Sequence, residues 1–302
     1  RHNVPIYGTR FTLALVREKL SEHGLASRAD LRTIAPGDTI TIGVFSIGFL
    51  RVTHSIPDCV SLAIRTPVGN VLFTGDFKID PELPDGTRFD EEGYRAFGEE
   101  GVLLMMSDST NAEVGGWTRS EGTVATALER VVGEAEGRVL IGMFSSNQFR
   151  LRAVVDAARA AGRYTALLGR SLGRYHQAAS RETRVDVPQA DLIDMRDIDL
   201  YDDHELVLVC TGSQGEERAA LRRIVSGRHP AVRPRNGDTL LLSSRRIPGN
   251  ERSIYAMIDD FARAGVRCVH GGTEPEIHCS GHAQADELKA VISWAKPRFF
   301  IP

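Results

Sequence analysis

Apolar positions in the middle and end of the chain fall in short unbroken runs, each followed by a polar or Gly-rich turn and then a helix-period stretch. Val139-Leu140-Ile141-Gly142-Met143-Phe144 is followed by Ser145-Ser146-Asn147, then by Leu151, Val154, Val155 and Ala158 at helical spacing, with Gly162 closing the unit. Ala166-Leu167-Leu168 starts the next strand. The same order recurs at Leu206 to Cys210, Thr211-Gly212-Ser213-Gln214-Gly215-Glu216 and a helix through Leu221 and Ile224. It recurs again at Leu240 to Leu242, Ser243-Ser244, Pro248-Gly249-Asn250, a helix through Ile254 and Ile258, and Arg267-Cys268-Val269. Uninterrupted apolar strands separated by helices predict parallel βαβ units, with ligand loops at the carboxyl ends of the strands.

The first third reads differently. A helix near Thr12 to Leu20 gives way to short β runs at Thr39 to Ile42, Phe49 to Thr53, Ser61 to Arg65 and Val71 to Thr74, with Pro67-Val68-Gly69-Asn70 as a hairpin turn. This pattern predicts half of an α/β sandwich rather than a doubly wound sheet. Gly115-Gly116 marks a boundary, and a helix through Val124, Leu128 and Val131 follows it.

At 302 residues the length suggests about two domains. Hydrophobic content of 42%, charged content of 25% and a net charge of −3 exclude a disordered tail, a collagen-like fibre and a histone-like polycation. No apolar run reaches membrane-spanning length, so no membrane partner is expected. The four cysteines, Cys59, Cys210, Cys268 and Cys279, are widely separated, which argues against a disulfide scaffold or zinc knuckle and for a reducing cytoplasm. The absence of an initiator Met and the strand-like end at Phe299-Phe300-Ile301-Pro302 suggest a segment of a longer protein. Charge is uneven: nine arginines stand between Arg218 and Arg252 against Asp238 and Glu251, whereas Asp186 to Glu205 is acidic and irregular. The arginines read either as solvated surface or as a phosphate-facing groove.

Three polar residues end strands: His54 in Thr53-His54-Ser55-Ile56-Pro57-Asp58, Asp76 after Val71 to Gly75, and Asp108 in Ser107-Asp108-Ser109-Thr110-Asn111. Singly, each could be a turn or helix cap. Together, imidazole and carboxylate groups at strand ends suggest a metal site that needs further ligands. His278 and His282, in Ile277-His278-Cys279-Ser280-Gly281-His282, lie four apart, but Pro275 and Gly281 favour a loop. His282 then sits at the amino end of the last helix, whose amides and dipole favour an anion. The Gly-Ser-Gln-Gly-Glu loop is expected to open a helix and bind phosphate. Neither a Walker motif nor G-x-G-x-x-G is present.

Seven segments taken in order resemble the ribonuclease J family, of the β-CASP branch of the metallo-β-lactamase superfamily. They are Asn3 to Thr9, Thr53 to Asp58, Phe73 to Asp80, Ser107 to Asn111, Thr211 to Glu216, Ile247 to Asn250 and Ser280-Gly281-His282. The resemblance implies an α/β fold, a metallo-β-lactamase αββα sandwich with an inserted βαβ-type β-CASP domain. Its parts would be a first metallo-β-lactamase part at 1–117, the β-CASP domain at 118–272, and a return at 273–302. RNA would be cut in the cleft between the domains. His54 and Asp76 match metal ligands, Asp76 bridging two ions. Asp108 and His282 match the first two β-CASP motifs as catalytic residues, with Asp108 orienting His282. His278, Ser280 and Gly281 match a phosphate-binding loop, to which Ser145, Ser146, Asn147, Ser213 and Gln214 are added.

The family's His-x-His-x-Asp-His motif would precede Arg1, and its last His would follow Pro302. The chain therefore carries two of seven ligands and is expected to be inactive alone. The implied cofactors are two divalent ions, zinc foremost from mixed His and carboxylate ligands and manganese as rival. The implied activity is metal-dependent hydrolysis of RNA, 5′ to 3′ from monophosphorylated ends and also internal, by an oligomer, a dimer in relatives. Two other readings stand beside it: a phosphate-ligand-binding α/β protein without hydrolysis, and a metallo-β-lactamase-fold hydrolase of another substrate. Metal content separates the first from the ribonuclease, and RNA binding the second.

Overall fold

A computed structural model describes residues 4–185 and 187–302. Asn3 of the first motif and Asp186 of the acidic stretch lie outside the described residues. The chain divides into two compact units. One runs to Ser120 and includes 181–184 and Ser280–Pro302, and the other comprises Glu121–Ser180 and Val185–Cys279. The sequence reading had set these divisions at 117/118 and 272/273.

In the first unit, β1 (Ile6–Gly8), α1 (Arg10–Glu22) and β2 (Leu31–Thr33) precede β3 (Thr39–Ile42), β4 (Phe45–Arg51), β5 (Val60–Thr66) and β6 (Gly69–Phe73). Then follow α2 (Glu91–Glu99) and β7 (Val102–Met106). The second unit holds α3 (Glu121–Glu134), β8 (Val139–Gly142), α4 (Gln148–Ala160), β9 (Tyr164–Leu168), all but the last two residues of α5 (Arg170–Glu182), β10 (Leu192–Ile193) and β11 (Leu206–Cys210). It continues with α6 (Ala220–Val225), β12 (Thr239–Leu242), α7 (Glu251–Arg263) and β13 (Arg267–His270). The chain ends with α8 (Ala285–Ala295) and β14 (Phe299–Ile301), both in the first unit.

The first unit's main sheet has the order β14-β7-β6-β5-β4-β3. It is antiparallel from β3 to β6 and parallel from β6 through β7 to β14. Val52, Ala63, Leu72 and Met105 share one core with Tyr94 and Phe97 of α2 and Leu288, Val291 and Trp294 of α8. β1 and β2 form a separate parallel pair.

The second unit is the parallel βαβ array that the apolar runs predict, in the order β10-β9-β11-β8-β12-β13. Its strands are apolar on both faces because both faces are covered. Ile141, Val209 and Leu241 join α3 and α4 in one core, while Leu140, Leu208 and Leu240 join α6 and α7 in the other.

Two helices, α2 and α5, have no counterpart in the sequence reading. One expected element changes: the Thr211–Glu216 loop does not open a helix. α6 starts only at Ala220, spans six residues, and receives no side-chain cap from Ala219.

Candidate active site

The polar strand ends of the first unit are held from below by buried hydrogen bonds. Thr53 is buried, and its hydroxyl donates to the Lys78 carbonyl at 2.6 Å while accepting from the Asp80 amide at 3.1 Å. This ties the segment carrying His54 to the loop carrying Asp76. Lys78 and Asp80 form a fully buried ion pair at 2.7 Å in the same loop. Gly75, in the left-handed region at φ +60°, makes the turn into Asp76 that a Cβ would strain.

His54 is buried, and its Nδ1 lies 2.6 Å from the Gly281 carbonyl. A carbonyl only accepts, so Nδ1 carries the proton and Nε2 offers its lone pair. Burial is the main cause that lowers the His54 pKa, keeping the ring in the neutral form that ligates metals. Gly281 allows this approach: a Cβ there would stand 2.6 Å from the Ser55 hydroxyl and 2.7 Å from His54 Cε1.

His282 Nδ1 lies 2.7 Å from Asp108 Oδ2. The Asp108 carboxylate also accepts from the Phe77 amide at 3.3 Å and the Thr110 amide at 2.9 Å. Burial pushes the Asp108 pKa up, but the hydrogen bonds from His282 and Thr110 outweigh it and hold the carboxyl down to about 2. The anion fixes a proton on Nδ1 of His282. The His54 and His282 rings meet edge to face, with centroids 5.2 Å apart.

One ligand atom from each of His54, Asp76 and His282 lies within 4.8 Å of the others. Two neutral-capable imidazoles and an exposed carboxylate are borderline-to-hard donors, so this group fits a divalent ion. It is the one such group among the described residues. The sequence reading gave His282 only a role near the substrate; the structure makes it the third member of the possible metal group as well.

The amino end of α8 does not offer the anion site expected of it. Its amides are engaged within the protein: Ala283 donates to the Phe77 carbonyl, Gln284 to Glu287, Ala285 to the Val114 carbonyl and Asp286 to the Gly116 carbonyl. The Ser280 hydroxyl accepts from Asn111 Nδ2 at 2.9 Å and from the His282 amide at 3.1 Å. Asn111 Nδ2 and the Thr118 hydroxyl both donate to the His282 carbonyl, at 3.1 and 2.8 Å. Sequence reading singled out neither Thr118 nor Glu287, because nothing local marks them.

In the second unit three of the expected phosphate-binding residues, Ser145, Asn147 and Gln214, are hydrogen-bonded to other parts of the same unit. Asn147 caps α4 by accepting from the Arg150 amide at 2.9 Å, and its Nδ2 donates to Glu121. Ser145 bonds Ser171 at 2.8 Å, and Ser146 is half-buried beside it. Gln214 donates to the Arg245 carbonyl at 2.8 Å and accepts from the Ile247 amide at 2.9 Å. Ser213 is buried, and His278 is half-buried in extended backbone after a 3₁₀ turn at Pro275–Ile277. The arginine cluster divides. Arg222 pairs with Glu217 and Asp260, Arg228 with Glu217 and Arg235 with Asp203, whereas Arg246 stacks on Tyr255.

With this geometry in place, comparison with known proteins is informative. Residues 136–261 match the model of the ribonuclease J β-CASP domain. Over its whole length the chain is 40% identical to ribonuclease J of Corynebacterium glutamicum, covering 42% of that protein. It is 40% identical over 99% of its length to ribonuclease J of Thermus thermophilus, covering 52% of it. Against ribonuclease J2 of Bacillus subtilis the identity is 36% over 99% of the chain and 54% of the relative. The chain thus spans about half the length of the curated relatives it matches. A crystal structure of a protein of unknown function from Enterococcus faecalis V583 shares the fold, with TM-score 0.69 and 16% identity over 99% of this chain and 69% of that one. No helix among the described residues is long and apolar enough to cross a membrane. The chain resembles ribonuclease J along its whole length, and residues 136–261 match the model of that family's β-CASP domain.

Proposed function

We propose that the protein to which this chain belongs is a metal-dependent ribonuclease that hydrolyses RNA phosphodiester bonds, acting 5′ to 3′ from monophosphorylated ends and also internally. The observation that carries this reading is the approach of His54, Asp76 and His282 to within 4.8 Å, with both imidazoles fixed through Nδ1. His54 and Asp76 are the proposed metal ligands, zinc or manganese being the ion. Bound divalent ions would supply a Lewis acid and a water of lowered pKa at this site.

The chain's own residues do the rest. His54 presents Nε2 because the Gly281 carbonyl holds its Nδ1 proton. Asp108 stays anionic at neutral pH and stabilises the protonated imidazole of His282. His282 then donates the Nε2 proton to the 3′ oxygen as the P–O bond breaks. The domain roles follow the same reading: metallo-β-lactamase parts at 1–117 and 273–302, β-CASP at 118–272. RNA as partner, self-association and a cytoplasmic location rest on the resemblance to bacterial ribonucleases J. The residues at 145–147, 213–214, 278 and 280–281 are the proposed phosphate contacts.

A second role for His282, as a metal ligand, is favoured by its place in the three-residue group. Manganese titration of the full-length protein separates the two. His282→Ala leaves Mn²⁺ affinity unchanged if the residue is a proton donor and weakens it if the residue is a ligand. Cleavage of 5′-monophosphorylated RNA that disappears in Asp76→Ala supports the ribonuclease, whereas an RNA-inert wild type refutes it.

A further inference from the structure

Glu287 is fully buried and belongs to the first turn of α8. As the third residue of a capped helix it would be expected to accept one amide, that of the cap residue Gln284. It accepts that bond at 2.8 Å on Oε2. Two more arrive from segments that helix capping does not require. The Thr118 amide reaches Oε2 at 2.7 Å, and the Ile79 amide reaches Oε1 at 2.8 Å. One arm therefore leads to the loop of Asp76, three residues before Ile79. The other leads through Thr118, whose hydroxyl donates to the His282 carbonyl at 2.8 Å. Asn111 supports the same carbonyl from the Asp108 side.

We infer that Glu287 is a positioning residue that fixes the spacing between Asp76 and His282, acting through Ile79 on one arm and Thr118 on the other. The inference rests on the ribonuclease reading above. Three N–H donors converge on two carboxylate oxygens, and only a carboxylate accepts on both sides. A Gln at 287 would turn its NH₂ toward the Ile79 amide or toward the Thr118 and Gln284 amides, so one arm is lost in either orientation. Thr118→Val removes the other arm alone, since the backbone bond to Glu287 and the Asn111 contact to His282 persist.

The test is steady-state cleavage of a 5′-monophosphorylated oligoribonucleotide by the full-length protein with Mn²⁺, beside melting temperatures of each variant. Glu287→Gln lowers kcat about 10- to 100-fold, the range for groups that orient catalytic residues. Thr118→Val lowers it less, by about 3- to 10-fold, because a second donor remains on the same carbonyl. KM stays within about twofold in both, since the lost interaction matters to the reacting geometry and not to RNA binding. Unchanged kcat in both variants, a rise in KM alone, or a loss that matches the unfolded fraction would overturn the inference. If Asp76→Ala and His282→Ala are inactive while Glu287→Gln is fully active, this inference fails alone. If wild type leaves RNA intact, both fail.

Discussion

Polar strand ends occur in both units, and they use their hydrogen-bonding groups in opposite ways. In the first unit each imidazole commits Nδ1 to a protein acceptor, and both rings stand beside an exposed Asp76. In the second, Asn147, Gln214, Ser243 and Arg150 direct their groups at one another and at backbone. The Arg150 guanidinium is fully buried, bonded to Glu121 at 2.8 Å and to the Ser243 hydroxyl at 2.5 Å. Residue types alone suggested a metal site at the first set of strand ends and phosphate contacts at the second. The hydrogen bonds separate a cluster of candidate metal ligands from a framework that shapes loops.

The largest expected effect falls on the first cluster. His282→Ala lowers kcat for RNA cleavage by about 10²- to 10⁴-fold, the usual contribution of a positioned acid or base, whereas Gln214→Ala, the loss of a proposed phosphate contact, raises KM and leaves kcat nearly unchanged. Rate measurements at saturating RNA check this, and equal losses in both would erase the distinction between the units.

Breaking the framework acts on stability instead. Arg150→Met leaves the Glu121 carboxylate buried without its guanidinium counter-charge, which costs about 3–5 kcal/mol in urea unfolding. The double variant Arg150→Met/Glu121→Leu recovers most of that loss, because no uncompensated charge remains. If the double variant is no better than the single, the pair is not what holds these loops.

The third effect depends on pH. The Asp108 carboxyl sits at about 2 in the folded chain, below its ordinary 3.8. A depressed carboxylate stabilises the fold above its unfolded pKa, and the contribution disappears as pH falls through the folded value. Wild type should therefore lose about 1–2 kcal/mol between roughly pH 4 and pH 2 that Asp108→Asn does not lose. Parallel stability curves for the two proteins over that window would show that the His282 contact does not shift the group.

The smallest effect is Asn147→Ala, which removes the α4 cap and costs about 1 kcal/mol, read by thermal unfolding.

The strands of the second unit were legible because their apolar runs are continuous; β11 matches the sequence reading residue for residue, as does the alternating β3 of the first unit. α5 was not, because its buried face consists of Leu172, His176 and Ala179 amid arginines, and Gly173 interrupts it. The candidate metal residues were visible as strand-end His and Asp. Their partners were not visible from local pattern, since the His54 contact with Gly281 spans 227 positions and the Asp108 contact with His282 spans 174. The expected anion site at α8 failed for the same reason: nothing in the local sequence shows that the Phe77, Val114 and Gly116 carbonyls and Glu287 take up its amides.

The central claim is that His54, Asp76 and His282 form one reactive cluster with Asp108 behind it. Its most direct test is incubation of the full-length protein with 5′-monophosphorylated RNA and Mn²⁺ or Zn²⁺, comparing wild type with Asp76→Ala and His282→Ala. The account predicts mononucleotide release by wild type and its loss in both variants, with the fold intact. RNA left uncut by wild type, or cut at the normal rate by both variants, would contradict it.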